Sequence, residues 1–430
     1  MNKNEAYYYS CRKSVPVKLK FRISLLKYFL QRNKYPLFVI KSSQGGVLNT
    51  NKIQKKLHIC KFVRHNNKIY FSLTVPHWPS KAFDNMVANG GLNISAAGTH
   101  LKIQIDNAIL AITSRCNYKC RHCYEHFNLS DTDAVPVSVW KKVISDLQQT
   151  GVSIITLSGG EPMLRFDELL EMLSSSDRSL SDFHIHTSGY GVTPDKAAAL
   201  KKAGLQAAGI GLDDVSTERH DAFRGFDGAY EQAVKAIRYF REAGVFTYVN
   251  TCVTKELIRS GDLYSYLRLL KELNVGLARW LEPRPCGAYL DGDESAFLDE
   301  EESKILTGLY FKLNTSAEYK DHPLIIYEAW SEAPENMGCM MAGLSIIHID
   351  SRGNVEPCVF VPITFGNIME ENFSDIFKRM RASVPSPLHT KCPSVQLNQK
   401  IRKMKETGIS LPVPFYKMEE DFISLVHEAE

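Results

Sequence analysis

The sequence predicts an α/β protein built around parallel strands, and three observations carry that expectation. Six apolar strand runs alternate with helical patterns between residues 106 and 282. Neighbouring parallel strands need a crossover of about a dozen residues, which each helical stretch supplies with the usual right-handed sense. Upstream of this region the chain is strongly basic; downstream, Pro, Gly and Cys become frequent and the alternation is lost. Six units fall short of the eight that close a barrel. The expected architecture is therefore a partial (β/α)6 TIM-like barrel at residues 106–282, preceded by a basic α+β module at 1–105. A separate cysteine-bearing domain is expected at 283–395 and a helical tail at 396–430.

Composition agrees with this division. The chain has 430 residues, 44% of them apolar and 23% charged. That balance excludes a disordered or fibrous chain and leaves room for two or three domains. The net charge of +4 hides an asymmetry: residues 1–83 hold 17 Lys or Arg and a single acid, Glu5, or +16, and the rest carry −12. A segment so charged attracts an anionic partner or is simply a solvated surface. Within it, residues 18–34 are spaced for a helix with Leu19, Ile23, Leu26 and Leu30 on one face. Alternating runs around His65-Asn66-Asn67 suggest a hairpin, and residues 80–91 a short helix with Ser80 as N-cap. An anionic membrane surface, an acidic peptide gripped by strand addition and a nucleic acid are all possible partners, although no nucleic-acid module is visible.

The core elements follow in order. AILAI (109–113) precedes a helix at about 136–149, VSIITLS (152–158) a helix near 166–173, and FHIHTS (183–188) a helix at 194–203. QAAGIGL (206–212), a helix at 229–243, VFTYVNTCV (245–253), a helix near 263–273 and VGLARWL (275–281) complete the series. No run approaches the roughly 18 apolar residues of a membrane span. The N-terminus shows no signal peptide, so the expected location is cytoplasmic, with peripheral contact at the inner membrane face if the basic helix binds lipid. Ten dilute cysteines then point to metal or redox chemistry rather than disulfides.

Cys116, Cys120 and Cys123 stand directly after the first strand run in a C-x3-C-x2-C loop. Three thiolates so close can converge on one cage, as soft ligands of an iron–sulfur cluster or of zinc. A cubane cluster needs four ligands, so one iron would stay open for a small molecule. At the end of the second run, Gly159, Gly160, Glu161 and Pro162 form a turn whose glycines allow close backbone approach to a ligand.

Cysteines at this spacing after the first strand, with GGEP after the second, resemble the radical S-adenosylmethionine (SAM) superfamily over residues 106–282. His122 takes the place of that family's usual aromatic before the third cysteine. The resemblance implies that Cys116, Cys120 and Cys123 ligate a 4Fe–4S cluster whose open iron binds SAM. It also implies that Gly159, Gly160, Glu161, Pro162, Ser188, Asp213, Arg224, Asn250 and His122 surround the cofactor, Arg224 as a carboxylate-binding residue. Reductive cleavage of SAM would then give methionine and a 5′-deoxyadenosyl radical that takes a hydrogen from the substrate, with an electron donor such as ferredoxin or flavodoxin.

Downstream, Cys339 and Cys358 flank a hairpin turning at Ser351-Arg352-Gly353, and Gly353 to Cys358 reads G-x4-C. This is similar to the SPASM or twitch auxiliary-cluster domain. The dense C-x2-C-x5-C-x3-C stretch of full SPASM domains is absent, since only Cys392 follows Cys358. The resemblance implies one auxiliary 4Fe–4S cluster held by Cys339, Cys358 and Cys392. Either Cys286 is its fourth ligand or one iron stays open. Cys11, Cys60 and Cys252 read as small buried hydrophobes. The resembling enzymes imply a peptide or protein side chain as substrate, with a lipid-derived or other small molecule as the alternative. A nucleic-acid-binding protein with a structural cluster is the alternative outside the enzymes.

Overall fold

A computed structural model describes residues 7–10, 61–89, 105–292, 294–336, 338–384 and 392–427. The expected helix at 18–34, with Cys11 and Cys60, lies outside them. Near the N-terminus, β1 (Tyr7–Ser10), β2 (Lys61–His65) and β3 (Lys68–Tyr70) form an antiparallel sheet in that order. Asn66 and Asn67 turn the β2–β3 hairpin with positive φ of 48° and 63°, the left-handed pair a two-residue turn demands. Helix α1 (Lys81–Ala88) follows, with Ser80 Oγ accepting the Phe83 N–H at 3.0 Å.

All six expected strands form, as β4 (Asn107–Thr113), β5 (Ile154–Gly159), β6 (Asp182–Thr187), β7 (Leu205–Gly211), β8 (Phe246–Cys252) and β9 (Leu277–Leu281). They pair in parallel in chain order. Both faces of these strands are covered, and β4 is buried at all seven positions, as parallel strands require. The helices between them bury one stripe each. In α2 (Val137–Thr150), Trp140, Val143, Ile144 and Leu147 recur at helical spacing, and Gly151 ends the helix at φ 100°.

The sheet does not end at residue 282. Leu324–Tyr327 (β10) extends it in parallel beyond β9, and Ile346–Ile349 (β11) pairs in parallel with β4 at the other edge. Val355–Glu356 (β12) closes the β11 hairpin, giving a nine-stranded sheet ordered β10-β9-β8-β7-β6-β5-β4-β11-β12. The expected loss of alternation at 282 is thus corrected: the later chain adds a strand to each flank. β10 follows β9 through the helix Glu300–Thr315, but both added strands are only four residues long and β10 stands more than forty residues beyond β9, so their alternation was too short to read. Two helices, Pro393–Glu406 and Glu419–His427, form the C-terminal region.

Alternation sets what faces the barrel interior. At the N-terminal ends of the strands, Ala207, Phe246, Tyr248, Leu277 and Leu324 meet Val63, Tyr70 and Leu73 of the basic module. Tyr70 stacks on Phe246 with ring centroids 3.7 Å apart. The hairpin therefore fills the lower mouth of the barrel. Two polar anchors hold it there. His77 meets Asp182 Oδ2 through its backbone N–H and Nδ1, at 3.0 and 2.6 Å. Lys61 Nζ donates to the carbonyls of Leu313, Tyr319 and Pro323 at 2.8–3.3 Å. Burial pulls the Lys61 pKa down to about 7. This lysine of the basic module is an internal clamp rather than surface charge.

Candidate active site

The strand ends opposite that plug carry the chemistry. The loop after β4 is clamped at its start by Asp133, which accepts from Thr113 Oγ1 at 2.6 Å and the Ser114 N–H at 3.0 Å, and pairs with Arg115 at 2.9 Å. Further along, the N–H groups of Lys119 and Arg121 donate to the carbonyls of Arg224 and Phe223, which end helix α3 (Thr217–Arg224). The Cys123 carbonyl accepts the Ala288 N–H at 2.9 Å. Cys116, Cys120 and Cys123 thus line one wall of a cavity of about 190 Å³.

The end of β5 closes onto this loop. Gly160 N–H donates to Thr113 O and Glu161 N–H to Arg115 O, both at 2.8 Å. A Cβ on Gly160 would stand 2.2 Å from the Arg115 carbonyl oxygen, so only glycine permits the approach. Gly159, Gly160, Ser188, Asp213, Arg224, Asn250 and His122 all line the cavity. Glu161 and Pro162 are buried beneath it. The Glu161 carboxylate accepts from Thr187 Oγ1 (2.7 Å), Ser188 N–H (2.8 Å), Ser188 Oγ (2.5 Å) and Met163 N–H (3.1 Å). In this arrangement it ties β5 to β6, and its charge is felt at Cys116.

Arg224 is also engaged. Its Nε donates to Asp213 at 2.7 Å and the guanidinium reaches Cys120. Burial pushes the Cys116 thiol up to about 12 and raises those of Cys120 and Cys123, while the Arg224 cation opposes the rise at Cys116 and Cys120. Metal binding here would displace thiol protons, with the guanidinium beside the developing thiolate. His122 stacks on Phe223 at 4.6 Å, and burial holds its pKa at about 4. His122 Nδ1 and Asn250 Oδ1 are buried cavity-wall atoms with no hydrogen-bond partner among the described residues. Three thiols, glycines that let the strand end sit against them, and unsatisfied polar atoms fit a cluster with a polar small-molecule ligand.

The second cysteine set assembles from distant segments. Cys358 lies within electrostatic reach of Cys286 and Cys392, and Cys339 within reach of Cys358 and Cys392. Cys286 is next to Cys392 as well, which places all four candidates around one locus. Cys392 stands at the N-cap of the Pro393–Glu406 helix, its Sγ 3.1 Å from Ser394 Oγ. Burial raises the pKa of Cys286, Cys339 and Cys358. Cys252 belongs to neither set, but it does line the main cavity.

Sequence reasoning missed the link between the two sets. Glu125, two residues after Cys123, lies 3.2 Å from His348 Nε2; Glu356, two residues before Cys358, lies 2.9 Å from His348 Nδ1. All three side chains are at most 5% exposed. Burial alone would strip His348 of its proton, but the two carboxylates outweigh it and push the pKa up to about 10. Tyr124, His186, Arg279 and Arg284, also without an expected role, line the same cavity. The only sequence signal for His186 and Arg279 was inward register on their strands.

A thiol loop at the mouth of a partial barrel, facing a polar cavity and joined to a second thiol set, defines an enzyme of the iron–sulfur, SAM-dependent class. Family models agree: residues 110–259 match the radical SAM superfamily, and residues 339–395 match the SPASM iron–sulfur cluster-binding domain. The chain thus carries a radical SAM domain and a SPASM domain, and its cofactors are a 4Fe–4S cluster with SAM and an auxiliary iron–sulfur cluster. It is similar to the AdoMet-dependent heme synthase of Nitratidesulfovibrio vulgaris, 28% identical over 62% of this chain and 77% of that protein. The subtilosin biosynthesis protein AlbA of Bacillus subtilis is 27% identical over 63% of this chain and 59% of its own. In fold, the chain resembles SuiB of Streptococcus suis bound to precursor peptide SuiA, with TM-score 0.53 and 15% identity over 85% of this chain and 77% of that one. No helix among the described residues is long and apolar enough to cross a membrane.

Proposed function

We propose that this radical SAM enzyme abstracts hydrogen from a peptide or protein side chain. In this reading Cys116, Cys120 and Cys123 hold the SAM-binding cluster, and Gly159, Gly160, Ser188 and Asn250 receive SAM. Cys286, Cys339, Cys358 and Cys392 hold the auxiliary cluster. The observation that carries the substrate class is the β1–β2–β3 sheet. The most basic part of the chain builds it, it is docked on the barrel, and β1 pairs on one side only among the described residues. An edge strand in a cationic segment can take an extended acidic peptide as an added strand. The similarity to AlbA supports the same class.

A second reading, a carboxylate-bearing small molecule, is favoured by the similarity to a heme synthase. Anaerobic incubation of reconstituted enzyme with SAM, reductant and peptides encoded beside its gene tests the choice. Formation of 5′-deoxyadenosine should rise with a peptide that itself loses hydrogen by mass spectrometry. If no peptide is altered while a tetrapyrrole carboxylate is consumed, the peptide reading falls.

A further inference from the structure

The cavity wall holds polar groups that the cofactor assignments leave unused. Inward register brings His186 from β6, Tyr248 and Asn250 from β8 and Arg279 from β9 to one side of the interior. Arg279 is the best defined of them. Its Nε and Nη2 donate to the two oxygens of Glu328 at 2.6 and 2.8 Å, a fork-to-fork pair that fixes the guanidinium plane. Nη1 makes no hydrogen bond among the described residues. Glu328 stands behind, on the wall of a neighbouring cleft shared with Glu332, Cys339 and Cys392. It therefore orients the arginine without occupying the cavity side.

The surrounding groups suit an anion. His186 Nε2 is held by the Tyr248 hydroxyl at 2.9 Å. Burial first, then the Arg279 charge, keeps this imidazole neutral, so a carboxylate would not compete with a fixed ion pair there. Tyr124, whose hydroxyl bonds Ser158 Oγ at 2.8 Å, lies in the field of the same guanidinium. Each arginine of the cavity wall has its own carboxylate, Arg224 with Asp213 at 2.7 Å, Arg284 with Glu282 at 3.4 Å and Arg279 with Glu328 at 2.6 Å; of these carboxylates only Glu328 stands outside the cavity lining.

We infer that Arg279, oriented by Glu328 and flanked by His186, forms a subsite for a carboxylate group of the substrate. The inference rests on the reading of this cavity as the substrate's chamber. It does not depend on whether the carboxylate is a Glu or Asp side chain of a peptide or an acidic arm of a small molecule. The guanidinium suits the role because its planar donors match a carboxylate, which an ammonium cannot do.

The test uses anaerobically reconstituted holoenzyme with SAM and two probe pairs, read by calorimetric titration. One pair is a heptapeptide with a central Glu and its Gln counterpart; the other is iron coproporphyrin and its tetramethyl ester. At least one free carboxylate should bind tenfold or more tightly than its neutral partner. Arg279→Gln should bring that ratio close to one, and Arg279→Lys should restore part of it. Iron content and melting temperature report whether each variant is folded and loaded. Glu328→Gln, which keeps the cation but loosens its plane, should lower the ratio less than Arg279→Gln. Absence of discrimination in the unaltered enzyme, or discrimination that survives Arg279→Gln, overturns the subsite. Discrimination by the porphyrin pair alone leaves the subsite standing and removes the peptide reading; discrimination by the peptide pair supports both.

Discussion

The two cysteine sets reach similar chemistry by opposite routes. Cys116, Cys120 and Cys123 share one loop hung on the end of one strand, and local clamps such as Asp133 and Gly160 hold it. Cys286, Cys339, Cys358 and Cys392 come from four separate stretches and meet only when the later chain has added β10 and β11 to both flanks of the sheet. A local set closes small loops and depends on few contacts. A dispersed set inherits every error in the fold, because long loops must close before its donors meet. The first site should therefore tolerate remote mutations that abolish the second.

The largest effect tests the local set. Replacing Cys116, Cys120 and Cys123 together with Ala should eliminate 5′-deoxyadenosine formation and remove about four iron per chain, measured by chromatography and iron assay. Next comes the joint between the sets. His348→Leu leaves Glu125 and Glu356 buried without their cation and should destabilise the protein by about 3–5 kcal/mol in denaturant unfolding. Its pH dependence has a definite sign. The folded pKa of His348 lies above its ordinary value, so its stabilisation is complete below about 6.5 and is lost as pH rises toward about 10. Unfolding midpoints of the unaltered protein should fall as pH rises from 6 to 10; midpoints that stay level over that range would remove the imidazolium from the joint.

Cys286→Ser sharpens the comparison further. With four thiolates at the dispersed set, the variant should lose iron, by up to about four per chain, and its reduced auxiliary-cluster EPR signal should change. An unchanged signal would mean that Cys286 is only a neighbour. The smallest effect belongs to Arg352, whose Nη2 donates to the Phe127 carbonyl at 2.7 Å across the joint at an exposed position. Arg352→Ala should cost no more than about 1 kcal/mol, read by the same unfolding curves.

The difference between the sets also explains what could be read from the chain alone. The thiol loop, the GGEP turn and the six core strands are local patterns, visible as spacing or alternation. Glu125, His348 and Glu356 gave no such signal, because their meeting depends on β11 pairing with β4 across more than two hundred residues. Arg279 and His186 were legible only as inward positions of a strand, a property they share with Leu277 and His184. Glu161 shows the reverse limit: its motif was plain, yet its hydrogen bonds to Thr187, Ser188 and Met163 were not.

The hairpin beneath the barrel has a consequence for traffic. With Tyr70 stacked on Phe246 at the base, the chamber is a blind well, closed at the floor and open at the rim where the thiol loop stands. A substrate cannot be threaded through it from below. Whatever enters meets the thiol loop from the rim side and not through the floor. An open rim above a filled floor puts arrivals and departures on one side of the sheet, so access to the thiol loop is governed by the loops that surround it.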